Sequence, residues 1–178
     1  PIAGRADLAD WLTDKTSPYF AKAIVNRLWR KLLGRGLVEP PDDFRSTNPA
    51  THPELLNRLA QDFINHGYDI RHTIELIVTS TTYARTAHAN QYNKHDDRFY
   101  SHAIRRPLEA EVLADAISSV TGVWEPYGQQ PVGTRAVALA DSKTPSMTLD
   151  VLGRCGRDIS CESLVDSVDS LGQTLHFF

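Results

Sequence analysis

The sequence predicts an all-α protein of about five helices with long irregular connections, the C-terminal third mostly loop. Three observations predict it. Apolar residues recur at three- and four-residue spacing in each of several separate stretches, which is the period of a helix half covered by its neighbours. Glycines stand where several of those stretches end, at Gly34, Gly67 and Gly122. One segment alone, Arg135 to Ala140, reads as a strand, and nothing in the chain offers it a partner.

The elements follow in order. Arg5 to Asp14 places Leu8, Trp11 and Leu12 on one side of a short helix, expected to pack on the next one. That next helix is the predicted centre of the fold. Pro18 suits a first helical position, because its missing N–H has no intrahelical partner there. Phe20, Ile24, Leu28 and Leu32 recur every fourth residue, with Ala21, Val25 and Trp29 beside them. Lys22, Asn26 and Arg30 form a polar row, Arg27 and Lys31 another, and Gly34 supplies the left-handed stop.

Pro40 and Pro41 forbid a helix, so the segment from Glu39 to Phe44 is expected to run extended over the surface. Thr51 to Glu54 matches a capping box ahead of a helix striped with Leu55, Leu56, Leu59, Phe63 and Ile64, ended by His66-Gly67. Asp69 then caps a helix over 70–81, with Ile70, Ile74, Ile77, Val78 and Thr81 on one side. Its many β-branched residues favour a strand by propensity, but spacing sustained over three turns favours the helix. Residues 86–102 are polar and rich in Asn and Asp, a long loop. Arg106-Pro107 is expected to open the last clear helix, burying Leu108, Val112, Leu113, Ala116, Ile117 and Val120 before Gly122. Beyond it, only Leu171 to Phe178 reads as helical.

Of the 178 residues, 41% are hydrophobic and 23% charged, which fits one folded domain over 1–178 with a real core. A net charge of −3 provides no global field for nucleic acid or an acidic membrane surface. No run of 18 apolar residues exists to span a bilayer. Both ends read as cut from a longer multidomain chain. Cys155 and Cys161 form no Cys-x-x-Cys-His, so no covalently attached c-type haem belongs to this sequence; whether they bond to each other is left open.

Glu111 and Asp115 stand four apart on one helix face, where like charges repel, so a nearby cation is expected. Arg105 and Arg106 lie just upstream, and Arg27, Arg30 or Arg35 can approach from the central helix. One reading is an ion-pair network of Arg27, Arg30, Arg105, Arg106, Glu111 and Asp115 that fixes how helices cross. The other makes the two carboxylates a metal or acid–base pair. The seven histidines (His52, His66, His72, His88, His95, His102 and His176) show no His-x-x-x-His or His-x-x-His spacing, so no metal is expected. Arg27, Arg30, Lys31 and Arg35 beside Trp29 suggest phosphate contacts, but Glu39, Asp42 and Asp43 are nearer partners. Phosphate-loop, dinucleotide and nucleophile-elbow motifs are missing.

Several stretches together resemble one family. They are Arg5-Ala-Asp-Leu-Ala-Asp-Trp-Leu12, Val25-Asn-Arg-Leu-Trp29, Gly34-Arg-Gly-Leu-Val38, Asp42-Asp-Phe44 and His52-Pro-Glu-Leu-Leu56. Ile77-Val-Thr-Ser-x-x-Tyr83, Arg106 with Ala110-Glu-x-Leu-x-Asp115, Gly133-Thr-Arg-Ala136 and Leu152-Gly-Arg154 follow in the same order. The chain resembles the C-terminal domain of unknown function of planctomycete-type multidomain proteins that also carry a cytochrome c-like domain. The resemblance implies an exported parent protein, with neighbouring domains as partners, a haem-bearing one among them. It implies no cofactor in this chain and carries no catalytic residue. The Cys-Glu-Cys-Glu-Arg run frequent in that family is replaced here by Cys161-Glu-Ser-Leu164.

Three functions are therefore weighed: a non-catalytic packing or interaction module of a larger exported protein, a hydrolytic domain acting on polysaccharide through Glu111 and Asp115, and a helical nucleic-acid binder.

Overall fold

A computed structural model of the chain describes residues 4–14, 17–106 and 108–154. The fold is all-α: among the described residues there are six α-helices, one 3-10 turn and no strand. The chain divides into two compact units, Pro1–Arg105 and Arg106–Phe178. The expected helix over 171–178 and both cysteines lie outside the described residues.

In the first unit α2 (Pro18–Leu33) is the hub, touching α1 (Arg5–Thr13), α3 (Pro53–Asn65) and α4 (Ile70–Val78). Its most buried apolar side chains are Ala21, Val25 and Trp29, with Ile24, Leu28 and Leu32 packed around them. They meet Leu56, Leu59, Ala60 and Phe63 of α3 and Ile77 of α4 in one core. Gly34 ends α2 in the left-handed region, φ 89°, its N–H returned to the Arg30 carbonyl.

Several expectations need correction. α1 forms but buries nothing, and Leu8 and Trp11 stay exposed. The segment over 39–44 keeps to the surface only in part: Pro40 and Asp42 are exposed, but the chain turns inward at Pro41. Leu37, Val38 and Pro41 are buried, because Asn26, fully buried on α2, binds their backbone: its Nδ2 donates to the Val38 carbonyl (2.9 Å) and the Pro41 carbonyl (3.1 Å), while its Oδ1 accepts from the Val38 N–H (3.0 Å). The close approach explains Gly36. A Cβ there would stand 2.5 Å from the Val38 carbonyl oxygen and 3.1 Å from the Asn26 amide.

No capping box forms at α3: His52 is the N-cap, and the Thr51 hydroxyl donates instead to the Leu37 carbonyl, 3.1 Å away. α4 ends at Val78 rather than Thr81, and Ile70 is exposed while Thr73 and Ile77 are buried. At its end the Thr79 and Ser80 hydroxyls bond back to the Glu75 and Ile77 carbonyls, a competition with the helix that these residue types favour. The Asp69 cap forms as expected, accepting from the Arg71 and His72 N–H groups.

The loop over 86–102 is held by Asp96, which accepts from the N–H groups of Arg98, Phe99 and Ser101. The Ser101 side chain beside it, and then those backbone N–H groups, keep its carboxyl well below the usual range. The loop delivers Tyr100 into the core, edge-on to Trp29 at 5.5 Å, its hydroxyl donating to the Gly36 carbonyl at 2.8 Å.

The second unit packs α5 (Ala110–Thr121), the 3-10 turn Ala136–Ala138 and α6 (Met147–Val151) around Ala110, Ala114, Tyr127, Ala136, Leu139, Leu149 and Leu152. α5 opens at Ala110, not at Arg106, and Gly122 closes it at φ 72°. The single expected strand is the 3-10 turn instead.

Candidate functional site

Asp115 lies on the buried face of α5 with Ala110, Ala114 and Ser118. Those small neighbours let the turn after Arg135 come close. The Asp115 carboxylate accepts from the Ala136 N–H at 2.6 Å, the Val137 N–H at 3.4 Å and Arg135 Nε at 3.3 Å. Its side chain is 5% exposed against 63% for Arg135. A buried carboxylate is costly unless fully hydrogen-bonded, and this one is satisfied by two backbone donors and a cation. All three of these bonds fix the turn. This also explains why 135–140 is not a strand: the N–H groups that a ladder would use are taken by a side chain.

Glu111, one turn earlier, is half-buried. It lines a crevice of about 10 Å³ with Ala136, Leu139, Asp141, Ser142, Leu149 and Arg154. That is room for one water, whereas a ligand pocket occupies several hundred Å³. The polar groups around it are stitched into the fold. Ser146 donates to Glu125 at 2.7 Å and accepts from the Leu149 N–H at 3.0 Å, and Arg154 pairs with Asp150 at 2.8 Å. Burial pushes the Tyr127 phenol up to about 12, with the carboxylates of Glu125, Asp115 and Glu111 adding to it. A ligand-sized concavity of about 630 Å³ is lined by other residues, from Thr51 to Leu55 and Arg58.

The structure distributes the predicted arginines elsewhere. Arg27 meets Asp42 at 2.7 Å in an exposed pair, of a kind that contributes at most about 1 kcal/mol. Arg30 meets Glu39 at 3.1 Å, and the other Glu39 oxygen accepts from the Gly36 N–H at 2.8 Å. Arg105 and Arg106 are exposed ahead of α5. The cation at Asp115 is Arg135, which sequence reasoning did not select, although Gly133-Thr-Arg-Ala136 was visible as a motif. No spacing in the chain linked that motif to Asp115.

The outer face of α5 departs most from expectation. Val112, Ala116 and Val120 were expected in the core and are exposed, Val120 at 88%, as are Leu108 and Val123. The helix has apolar residues on two faces. Its small ones (Ala110, Ala114, Ser118) point inward because the Asp115 bracket fixes its rotation.

The histidines also move. His52 rests near the Phe99 and Tyr100 rings, His102 Nδ1 lies 3.1 Å from the Ala103 carbonyl oxygen, and His88 and His95 are exposed on the loop. His176 lies outside the described residues. His66 and His72, however, converge on Asp62, each placing one donor atom within 4.8 Å of the others. Asp62 and His66 stand four apart, but nothing in linear spacing ties them to His72: the trio spans the end of α3 and the start of α4, and the turn between decides the geometry.

No helix among the described residues is long and apolar enough to cross a membrane. No curated protein and no solved structure matches the chain. One family model matches residues 4–155, that of PSD1, a protein of unknown function (DUF1553). That match covers most of the chain, and the chain belongs to this family.

Proposed function

We propose that this domain is a non-catalytic packing module of a larger exported protein of the planctomycete type, docking through α5 against neighbouring domains that include a haem-bearing, cytochrome c-like one. The observation that carries the reading is the stripe Val112, Ala116, Val120, exposed along one face of α5. A contiguous apolar face on a folded domain marks an interaction surface more often than a solvated one. The character of Asp115 supports the same reading: a buried carboxylate that accepts from two backbone N–H groups and Arg135 Nε is occupied in positioning structure. Arg27 and Arg30, paired with Asp42 and Glu39, give little support to a phosphate-binding role. The export and the haem-bearing neighbour rest on the resemblance of the motifs.

The test is association of the chain with the neighbouring domains of its parent protein by analytical ultracentrifugation. The native chain should associate, and Val112→Asp with Val120→Asp should abolish association. Substitution on an exposed face changes stability by no more than about 0.5 kcal/mol, so the variant's own unfolding midpoint should barely move. Absence of association by the native chain would remove the proposal.

A further inference from the structure

Independently of α5, the α3–α4 hairpin carries a set of donors that its fold role leaves unexplained. Asp62 and His66 stand four apart, hence on one face at the end of α3. Gly67 and Tyr68 both adopt φ 65°, and this left-handed pair reverses the chain into α4. His72 then arrives on the opposite side of the same carboxylate. His66 Nδ1 is 3.3 Å from Asp62 Oδ1, and His72 Nε2 is 2.9 Å from Asp62 Oδ2. The two imidazoles stack with centroids 3.8 Å apart and planes 23° from parallel.

The scaffold beneath is rigid. Tyr68 packs edge-on against Phe63 at 5.3 Å and Phe20 at 5.8 Å, and its hydroxyl donates to the Thr13 carbonyl at 3.1 Å. Asp69 Oδ1 holds the His72 N–H at 3.1 Å. Donors fixed by such a shell need little reorganisation to take a common ligand.

We propose that Asp62, His66 and His72 form a binding site for a divalent first-row transition ion. Two imidazoles and one carboxylate, with no sulfur, are the donor set of borderline ions such as Zn²⁺, Ni²⁺ and Fe²⁺ rather than of Ca²⁺ or Mg²⁺. Bonds of about 2.0–2.2 Å to a shared ion place neighbouring donors roughly 3–3.6 Å apart, so a span of up to 4.8 Å closes once the two stacked rings tilt apart and turn their in-plane lone pairs to one point. Two hydrogen bonds are exchanged in the process: that between His72 Nε2 and Asp62 Oδ2, and that between His66 Nδ1 and the Asp62 carbonyl oxygen, 2.9 Å apart. That carbonyl keeps a partner, because the His66 backbone N–H also donates to it, at 3.0 Å. Three protein ligands leave a position for water or for a group supplied by another molecule.

The test is titration of the 178-residue chain with Zn²⁺ by isothermal calorimetry, beside the variants His66→Ala with His72→Ala, and His88→Ala with His95→Ala. One ion per chain is expected. Loss of a residue that merely supports a ligand costs 10–100-fold, so removing two ligands should weaken binding by at least about 100-fold. Removing the exposed loop histidines should leave it unchanged. Because the first variant can disturb the hairpin, Co²⁺ is added to the native chain as well. Visible d–d bands that one equivalent of Zn²⁺ bleaches are expected, and Asp62→Asn should weaken them. The absence of one-to-one Zn²⁺ binding, equal binding by the His66→Ala, His72→Ala variant, or Co²⁺ that remains spectrally as in water would each overturn the proposal and leave a carboxylate–imidazole cluster only.

Discussion

The two units solve one problem with two different residues. Each has a helix that ends in a left-handed glycine and carries a buried polar side chain on its inward face, and in each that side chain holds an incoming loop by its backbone. In the first unit the holder is Asn26, a neutral amide that both donates and accepts, and it secures residues 38–41 from both sides. In the second it is Asp115, which only accepts, so the 135–137 turn presents N–H groups and brings its own guanidinium. The choice of residue follows the polarity of the loop it binds. In both cases two separated stretches of sequence, Asn26 with the Gly34–Val38 motif and Asp115 with the Gly133–Ala136 motif, are one structural device.

The difference predicts unequal penalties. Asn26→Leu should be the most damaging change, because it strands two carbonyls and one N–H in the core. At roughly 1–3 kcal/mol per unsatisfied group, partly relieved by relaxation, a loss of about 3–5 kcal/mol is expected in denaturant unfolding. If it costs less than about 1 kcal/mol, the bracket is incidental. Asp115→Ala should cost about 2–3 kcal/mol, since the Arg135 side chain is already in water and only the N–H groups lose a partner. Hydrogen exchange should localise that loss to the Ala136 and Val137 amides, leaving Val38 protected. Asp115→Asn, which keeps an acceptor, should recover about half of it.

The smallest effect expected is at alkaline pH. Burial raises Tyr100 to about 12, and Tyr127 to about the same value. Each group binds its proton more tightly folded than unfolded, so its contribution is complete below pH 10 and lost as pH rises from about 10 to 12. A loss on the order of 1–2 kcal/mol per residue is expected. An alkaline titration of phenolate absorbance should show two late phenols, one lost on Tyr100→Phe and the other on Tyr127→Phe. If neither substitution removes a late phenol, neither core excludes water at its tyrosine.

Much of the fold was legible. The helical class, the position of α2 at the hub of its unit, the Gly34 and Gly122 stops and the Asp69 cap follow from spacing and from local chemistry that acts within four or five residues. Three of the errors share a cause. The Thr51 box, the inward turn at Pro41 and the lost strand at 135–140 each turned on a hydrogen bond from a distant residue, which no periodicity records. The burial of α5 failed in a particular way: its spacing admits two apolar faces, and the larger side chains were assumed to point inward.

Sequence by itself determined where the chain coils, where it breaks, and that the phosphate-loop, dinucleotide and nucleophile-elbow motifs are missing, because these depend on neighbours along the backbone. Only the tertiary structure decided which face of α5 meets its core, that Asn26 and Asp115 are brackets, and that Asp62, His66 and His72 share a point in space. Those outcomes depend on which distant backbone groups need partners, and that demand exists only once the helices have packed.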